Sequence, residues 1–279
     1  QVVASINKDD ITADDLYDES TPYDGSTIYN MYKNAVIDQS IKTTKDLKKQ
    51  ASTLESNIKS NASSQSDDYE STLTTELAKY GYASYEELND YCLTSVKEKE
   101  MNKKYITKHF DEVKKAWEEK SPRTVSIIKM DVSDADNLTE TETKKKRNIN
   151  KALEKESFAD VAKAVSEDSN TANKNGFAGY VDSNSTSSDS SSTSTVPADV
   201  VTAAIGLKKG ETSDWITVTS SSGTSLYKVY VKETNSKKIF NAKSDTVSNQ
   251  ALYAILNSDS SLSYKILDSY AKKLDIKFN

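Results

Sequence analysis

One histidine, His109, and one cysteine, Cys92, are the only imidazole and thiol in the chain. Proton relays near neutral pH and thiol nucleophiles draw on those groups, and a single copy of each leaves no pair from which to build a relay. A cysteine-based zinc site needs several thiolates and an intramolecular disulfide needs two, so both are excluded. His109 reads as a helix-end or surface residue. Cys92 stands between Leu88 and Val96 at the spacing of one helix face, which reads as a buried packing residue. Asp131, Asp134 and Asp136 lack the turn glycine and the distal Glu of a calcium loop, and no cofactor is expected. Asp168, in Ser166-Glu167-Asp168-Ser169, suits a turn or helix-cap carboxylate that accepts from backbone amides. The run Lys144-Lys145-Lys146-Arg147 reads as a solvated helix face. Tyr82, Tyr85, Tyr91 and Tyr105 fall at helical positions, where they form core or line a groove for unfolded chains.

The elements that must hold these residues follow from composition and periodicity. Seven glycines and three prolines in 279 residues, with long stretches rich in Lys, Glu, Asp and Ala, favour a helix-rich α+β chain over a sandwich of short strands. The net charge of −6 argues against a polyphosphate partner, because counterion release needs a surplus of clustered Lys and Arg, so nucleic acid is not expected. No apolar run approaches the ~18 residues that a bilayer span needs. The chain begins at Gln1 without an initiating Met, and a trimmed targeting segment is expected.

Val2 to Ile6 reads as a strand, followed by a turn and a helix capped by Thr12. One or two helices follow between Ile28 and Ile58, and another from Tyr69 that Gly81 can end. Ser84-Tyr85-Glu86-Glu87 is a capping box that opens a long helix, with a break near Thr107-Lys108-His109 and a stop at Ser121-Pro122. From Thr124 the texture turns to β-propensity residues, then to a helical stretch carrying Ile149, Leu153, Phe158 and Val161. Residues 183–195 are almost entirely Ser, Thr, Asn and Asp and read as a flexible loop. Trp215 to Thr219 and Thr224 to Val231, split by Ser220-Ser221-Ser222-Gly223, read as a hairpin, and helical spacing returns after Asn235. The division expected is a helical lobe over 1–121, a mixed domain over 122–235, and C-terminal helices over 236–279 that complete the helical lobe.

The succession Phe158-Ala159-Asp160-Val161-Ala162, Ser166-Glu167-Asp168-Ser169, Gly176-Phe177-Ala178-Gly179-Tyr180, Val196-Pro197 and Leu207-Lys208-Lys209-Gly210-Glu211, closed by the hairpin, resembles the parvulin family of peptidyl-prolyl isomerases over 123–232. The flanks, with Val3-Ala4-Ser5-Ile6-Asn7 and Tyr80-Gly81-Tyr82-Ala83-Ser84-Tyr85, are similar to the PrsA and SurA group of exported foldases. That resemblance implies a discontinuous helical chaperone-like domain with an inserted parvulin-like domain of antiparallel sheet plus helices. It implies unfolded or newly exported polypeptides as partners, an extracytoplasmic location, and a lipid anchor on the outer face of the cytoplasmic membrane. It also implies site residues. Parvulins use two histidines on adjacent central strands and a nearby Cys or Asp to favour a twisted amide, against a rotation barrier of ~18 to 20 kcal/mol. By alignment Ser126 and Ser225 take the two histidine positions, Asp168 keeps the acidic one, and Val181, Val196 and Val200 take the proline-pocket positions. Two serines do not reproduce the volume of two imidazoles, so the resemblance implies a folding factor with a degenerate catalytic site. The alternatives are an active, divergent isomerase and a docking lipoprotein that uses the fold as a scaffold.

Overall fold

The structure is a computed structural model and describes residues 2–6, 9–12, 26–186, 196–274 and 277–278. It forms two compact units, Gln1–His109 with Ser260–Asn279, and Phe110–Asp259.

The first unit opens with strand β1 (Val2–Ile6), paired antiparallel with β2 (Asp9–Thr12). Thr12, expected to cap a helix, instead ends β2 opposite Val2, because Asp9–Thr12 pairs antiparallel with β1. The rest of the helix expected there lies outside the described residues. Helices α1 (Ser26–Ser40), α2 (Lys45–Ser63), α3 (Tyr69–Ala78) and α4 (Leu88–Lys108) follow. Each boundary has a chemical cause. The Thr44 hydroxyl accepts from Leu47 N at 3.2 Å to start α2. Gly81, at φ +81°, lets Tyr82 N reach Leu77 O at 3.2 Å and close the end of α3. The Ser84 and Glu87 capping box is present and leads through the 3-10 turn Tyr85–Glu87 into α4. Helices α1 and α2 both pack on α4, and Ile37, Ala51, Cys92 and Ile106 are wholly buried. Burial pushes the Cys92 thiol up to about 11, in keeping with a packing role.

The second unit begins at α5 (Phe110–Glu118), just after His109, whose ring stacks on Tyr105 at 4.4 Å. The units therefore divide after residue 109 rather than after residue 121, where the proline stop was expected to mark the boundary. The reason is packing: α5 buries Phe110 and Trp117 within the unit that carries the sheet. Strand β3 (Arg123–Val132), helices α6 (Glu140–Leu153) and α7 (Phe158–Val165), β4 (Phe177–Val181), α8 (Ala198–Gly206), and the hairpin β5 (Ile216–Ser220) and β6 (Gly223–Glu233) come next. The strands form one antiparallel sheet in the order β4-β3-β6-β5. Ser183–Thr186 form a 3-10 turn, and the remainder of the expected flexible loop lies outside the described residues.

Helices α9 (Ser236–Phe240) and α10 (Asp245–Ser258) stay with the second unit, where the Phe240 ring meets Phe110 at 5.4 Å and the Ser236 hydroxyl bonds Glu118. Only α11 (Leu262–Ala271) and the short strand β7 (Lys277–Phe278) return to the first unit, α11 against α1 and α4 and β7 beside β1. The C-terminal segment is thus shared between the units rather than wholly given to the helical one.

Alternation along β3 and β6 sends side chains to the two faces of the sheet. Val125, Ile127, Val229 and Val231 pack with α8 on one face, while Ile128, Met130, Val132 and Leu226 pack with α6 and α7 on the other. Arg123 closes the α8 face: its guanidinium donates to the carbonyls of Ala204 and Leu207, and its Nε donates to Ser121 O at 2.9 Å. A cation on the unpaired carbonyls of a helix C-terminus is favourable.

Gly176 sits at φ +75°, and a Cβ there would lie 2.8 Å from the Ile127 carbonyl oxygen and 2.6 Å from the Ala162 Cβ. Gly176→Ala is expected to destabilise the second unit by about 2 to 4 kcal/mol, read as a lower urea midpoint. A pH effect is expected at the start of α6, where the Glu142 carboxylate accepts from Ser133 N and Thr139 N, both at 2.7 Å. These amide bonds, with the Thr139 hydroxyl, hold its pKa at about 2, below the ordinary 4.5. A depressed carboxylate contributes stability that is complete above its unfolded value and is lost as pH falls through the folded one. Glu142→Gln should therefore be least stable relative to the parent above pH 4.5, with the difference closing as pH approaches 2 in denaturant titrations.

Candidate functional site

The positions that sequence alignment singles out do not form one site. Ser126 pairs with Tyr230 across β3 and β6, and Ser225 pairs with Asp131. The ladder between them runs without a register shift, so five residues of β3 separate the two pairs, roughly 16 Å at the rise of a strand. An odd separation also places them on opposite faces. Ser126 belongs to the α6 and α7 face and lines a cleft there with Phe158 and Tyr230, whereas Ser225 belongs to the α8 face. The expectation of two serines side by side is corrected by register, which alignment of isolated strands does not supply.

Each polar residue has a partner of its own. The Ser225 hydroxyl donates to Asp131 Oδ1 at 2.7 Å, and Lys129 Nζ lies 2.9 Å from the same oxygen. Asp168 accepts from Asn170 N at 3.2 Å and from the Thr171 hydroxyl at 2.7 Å. It is thus a turn carboxylate bonding a backbone amide, as its neighbours in sequence suggested. No direct bond joins Asp168 to either serine.

Val181, Val196 and Val200 do come together, in the cluster under α8 with Ile127, Tyr227 and Val229. They are sealed: Val181 and Val200 have no exposure and Val196 has 4%. The residues of the two central strands that face this cluster are aliphatic except Tyr227, which sequence reasoning passed over. Burial raises its phenol pKa, while Lys129 opposes that shift and the charges of Asp168 and Asp131 add to it. Tyr227, Lys129, Asp131, Ser225 and Asp168 therefore make a small polar group at one end of the α8 face. Strand alternation counted back from the apolar Val229 and Val231 was the signal that could have found Tyr227.

Chemically, this group offers a phenol and an ammonium as donors but no imidazole, since the sole histidine lies in the other unit. Lys129 is held by Asp131, and that ion pair raises its pKa. Directed hydrogen bonds to a twisting amide act in an apolar pocket that holds the ring, and here the apolar positions are filled by one another.

A second polar chain ties α5 to the sheet. The Trp117 Nε1 donates to the Tyr180 hydroxyl at 2.8 Å, and that hydroxyl donates to Asp182 Oδ2 at 2.6 Å. Burial, with the Asp182 charge, pushes the Tyr180 phenol far up. Asp182 Oδ1 accepts from the amides of Asn184 and Ser185. This chain is a fully partnered structural network.

Residues 126–230 match the family model of the rotamase, PPIC-type PPIase domain. Among solved structures, the chain is similar to the foldase protein PrsA from Lactococcus lactis, at 22% identity and a TM-score of 0.44, with 100% of this chain and 95% of that one covered. It is similar to PrsA from Bacillus subtilis at 20% identity and a TM-score of 0.43, covering 99% and 93% of the two chains. For the foldase protein PrsA from Streptococcus pneumoniae the values are 20%, 0.39, 100% and 96%. No curated protein matches. The matched segment takes in β4, β5 and most of β3 and β6, so the match to the PPIC-type PPIase domain spans the sheet of the second unit.

Proposed function

We propose that this protein is an extracytoplasmic folding factor that binds unfolded, newly exported polypeptides, and that its PPIC-type domain does not catalyse prolyl isomerisation. The observation that carries the second half is the sealing of Val181, Val196 and Val200 within the α8 core, together with the lack of any histidine in the unit. A proline ring has no apolar slot there, and the barrier to amide rotation falls only where a twisted geometry is held. The matched domain model and the order of motifs across 123–232 support the folding role.

The first unit offers a surface for clients. Tyr29 and Tyr264 lie 5.8 Å apart and are 37% and 62% exposed, with Ile28 exposed beside them. Adjacent exposed aromatic groups give broad, adaptable contacts with apolar segments. Tyr82, Tyr85 and Tyr91, which sequence alone left between core and groove, are half-buried; Tyr91 meets Tyr80 and Tyr82, and Tyr85 meets Tyr69. No helix among the described residues is long and apolar enough to cross a membrane. Attachment is proposed to come from a lipid on a residue upstream of Gln1, in the manner of the PrsA group.

A protease-coupled assay on short Xaa-Pro peptides is expected to show no acceleration by the folded protein, while stoichiometric amounts suppress aggregation of unrelated unfolded proteins. Acceleration would establish the divergent isomerase instead, and failure of both assays would favour a docking lipoprotein. Tyr264→Ala, at the more exposed ring of the pair, should raise the amount needed for suppression about twofold or more with little change in the thermal midpoint, because most of that ring faces solvent.

A further inference from the structure

The α6 and α7 face of the sheet carries an open cleft of about 770 Å³ inside the second unit, on the side away from the α8 cluster. Ser126, buried on β3, lies at its base beside Tyr230, whose ring stacks on Phe158 at 5.4 Å and 22°. Phe177, from the start of β4, forms another part of the lining. The lining is thus aromatic, with the Ser126 side chain among it.

Around this base stand three lysines, Lys174, Lys228 and Lys232, against two carboxylates, Glu154 and Asp214, both exposed at the rim. Lys228 is half-buried on β6. Its Nζ donates to Ser213 O at 2.8 Å and lies 5.3 Å from the Trp215 ring centroid. Burial lowers its pKa, and Lys146 adds to that while Asp214 only partly opposes it. The Lys232 ammonium lies 5.0 Å from the Phe177 ring centroid. Asn150, also in the lining, accepts from the Trp215 indole at 3.0 Å through its amide oxygen. A basin rich in donors and cations over aromatic rings, in a chain of net charge −6, is complementary to an anion that carries apolar groups.

We infer that this cleft binds an extended peptide segment in which acidic side chains alternate with apolar ones, the carboxylates on Lys174, Lys228 and Lys232 and the apolar side chains against Phe158, Phe177 and Tyr230. Alternation matters because an extended peptide sends successive side chains to opposite sides. Carboxylates two residues apart can then reach the lysine-bearing rim while their neighbours meet rings. The site lies on the opposite face from Ser225, Val181, Val196 and Val200, with Ser126 alone of the parvulin positions at its base, and does not depend on whether the protein is a folding factor.

The test is fluorescence anisotropy with the intact chain and a labelled octapeptide of alternating Glu and Leu, beside a Lys and Leu counterpart and an oligoglutamate of equal length. The Glu and Leu peptide should bind about tenfold or more tightly than either comparator and weaken as salt rises, because the lysine contacts are screened. Lys174→Glu/Lys232→Glu, at two exposed positions, should remove about tenfold in affinity with an unchanged thermal midpoint. Lys237→Glu/Lys238→Glu, exposed on α9 in the same unit, should leave binding intact. Equal losses in both double variants, equal binding of oligoglutamate, or no binding at all would overturn the inference. Isomerase and aggregation assays are independent of each of these outcomes.

Discussion

The two-residue period of the central strands is the constraint on which the rest of the second unit depends. Helices pack on both faces of the β3 and β6 pair, so most residues on these strands are committed to one packed side or the other. A slip of one residue would carry Ile127 and Val229 to the α6 and α7 face and Ile128 and Leu226 to the α8 face. The ladder therefore holds a single register from Val125 opposite Val231 to Val132 opposite Thr224. That register decides which side chains can act together. It joins Tyr227 to the cluster under α8, gives Ser225 to Asp131, and turns Ser126 towards the cleft on the far side.

The edges of this double-faced sheet are closed by polar groups with complete sets of partners. Arg123 carries a buried charge, which would be costly alone, but three backbone carbonyls receive its N–H groups and the C-terminus of α8 supplies a favourable dipole. The relay from Trp117 through Tyr180 to Asp182 does the same for α5, and it explains why α5 belongs with the sheet although no proline or glycine separates it from α4. Compact units divide where packing divides, and the short break at His109 is enough when Phe110 and Trp117 are buried on the far side of it.

The parvulin domain accordingly presents two faces with different chemistry. On the α8 face, Val181, Val196 and Val200 are buried against one another, and the neighbouring Ser225, Asp131 and Lys129 are engaged with one another. On the α6 and α7 face, an aromatic base remains open beneath lysine side chains. A binding function on this scaffold needs no imidazole, whereas catalysis of amide rotation needs directed donors inside an apolar slot.

Much of the fold was legible from local signals. The Ser84 to Glu87 capping box, the Gly81 helix end, the β-branched run that became β3, and the hairpin around Ser221-Ser222 all rest on interactions between residues close in sequence, where spacing reports the physics directly. The burial of Cys92 followed from helical periodicity for the same reason. The order of motifs from Phe158 to Gly210 was enough to identify the domain. Local patterns also misled: Thr12 had the side chain of a helix cap, yet backbone pairing of Asp9–Thr12 with β1 made it the end of a strand.

Local spacing by itself determined most of the helices and strands, the ordered motifs carried the resemblance to the domain family, and composition alone left a single histidine. Tertiary structure alone decided that Ser126 and Ser225 face away from each other, that Val181, Val196 and Val200 close on themselves, that Arg123 caps α8, and that α9 and α10 stay with the sheet. Each of these depends on register or on contact between residues far apart in the chain. Neither leaves a periodic trace in one sequence, because a strand's alternation fixes which residues share a face but not which residue of its partner lies opposite.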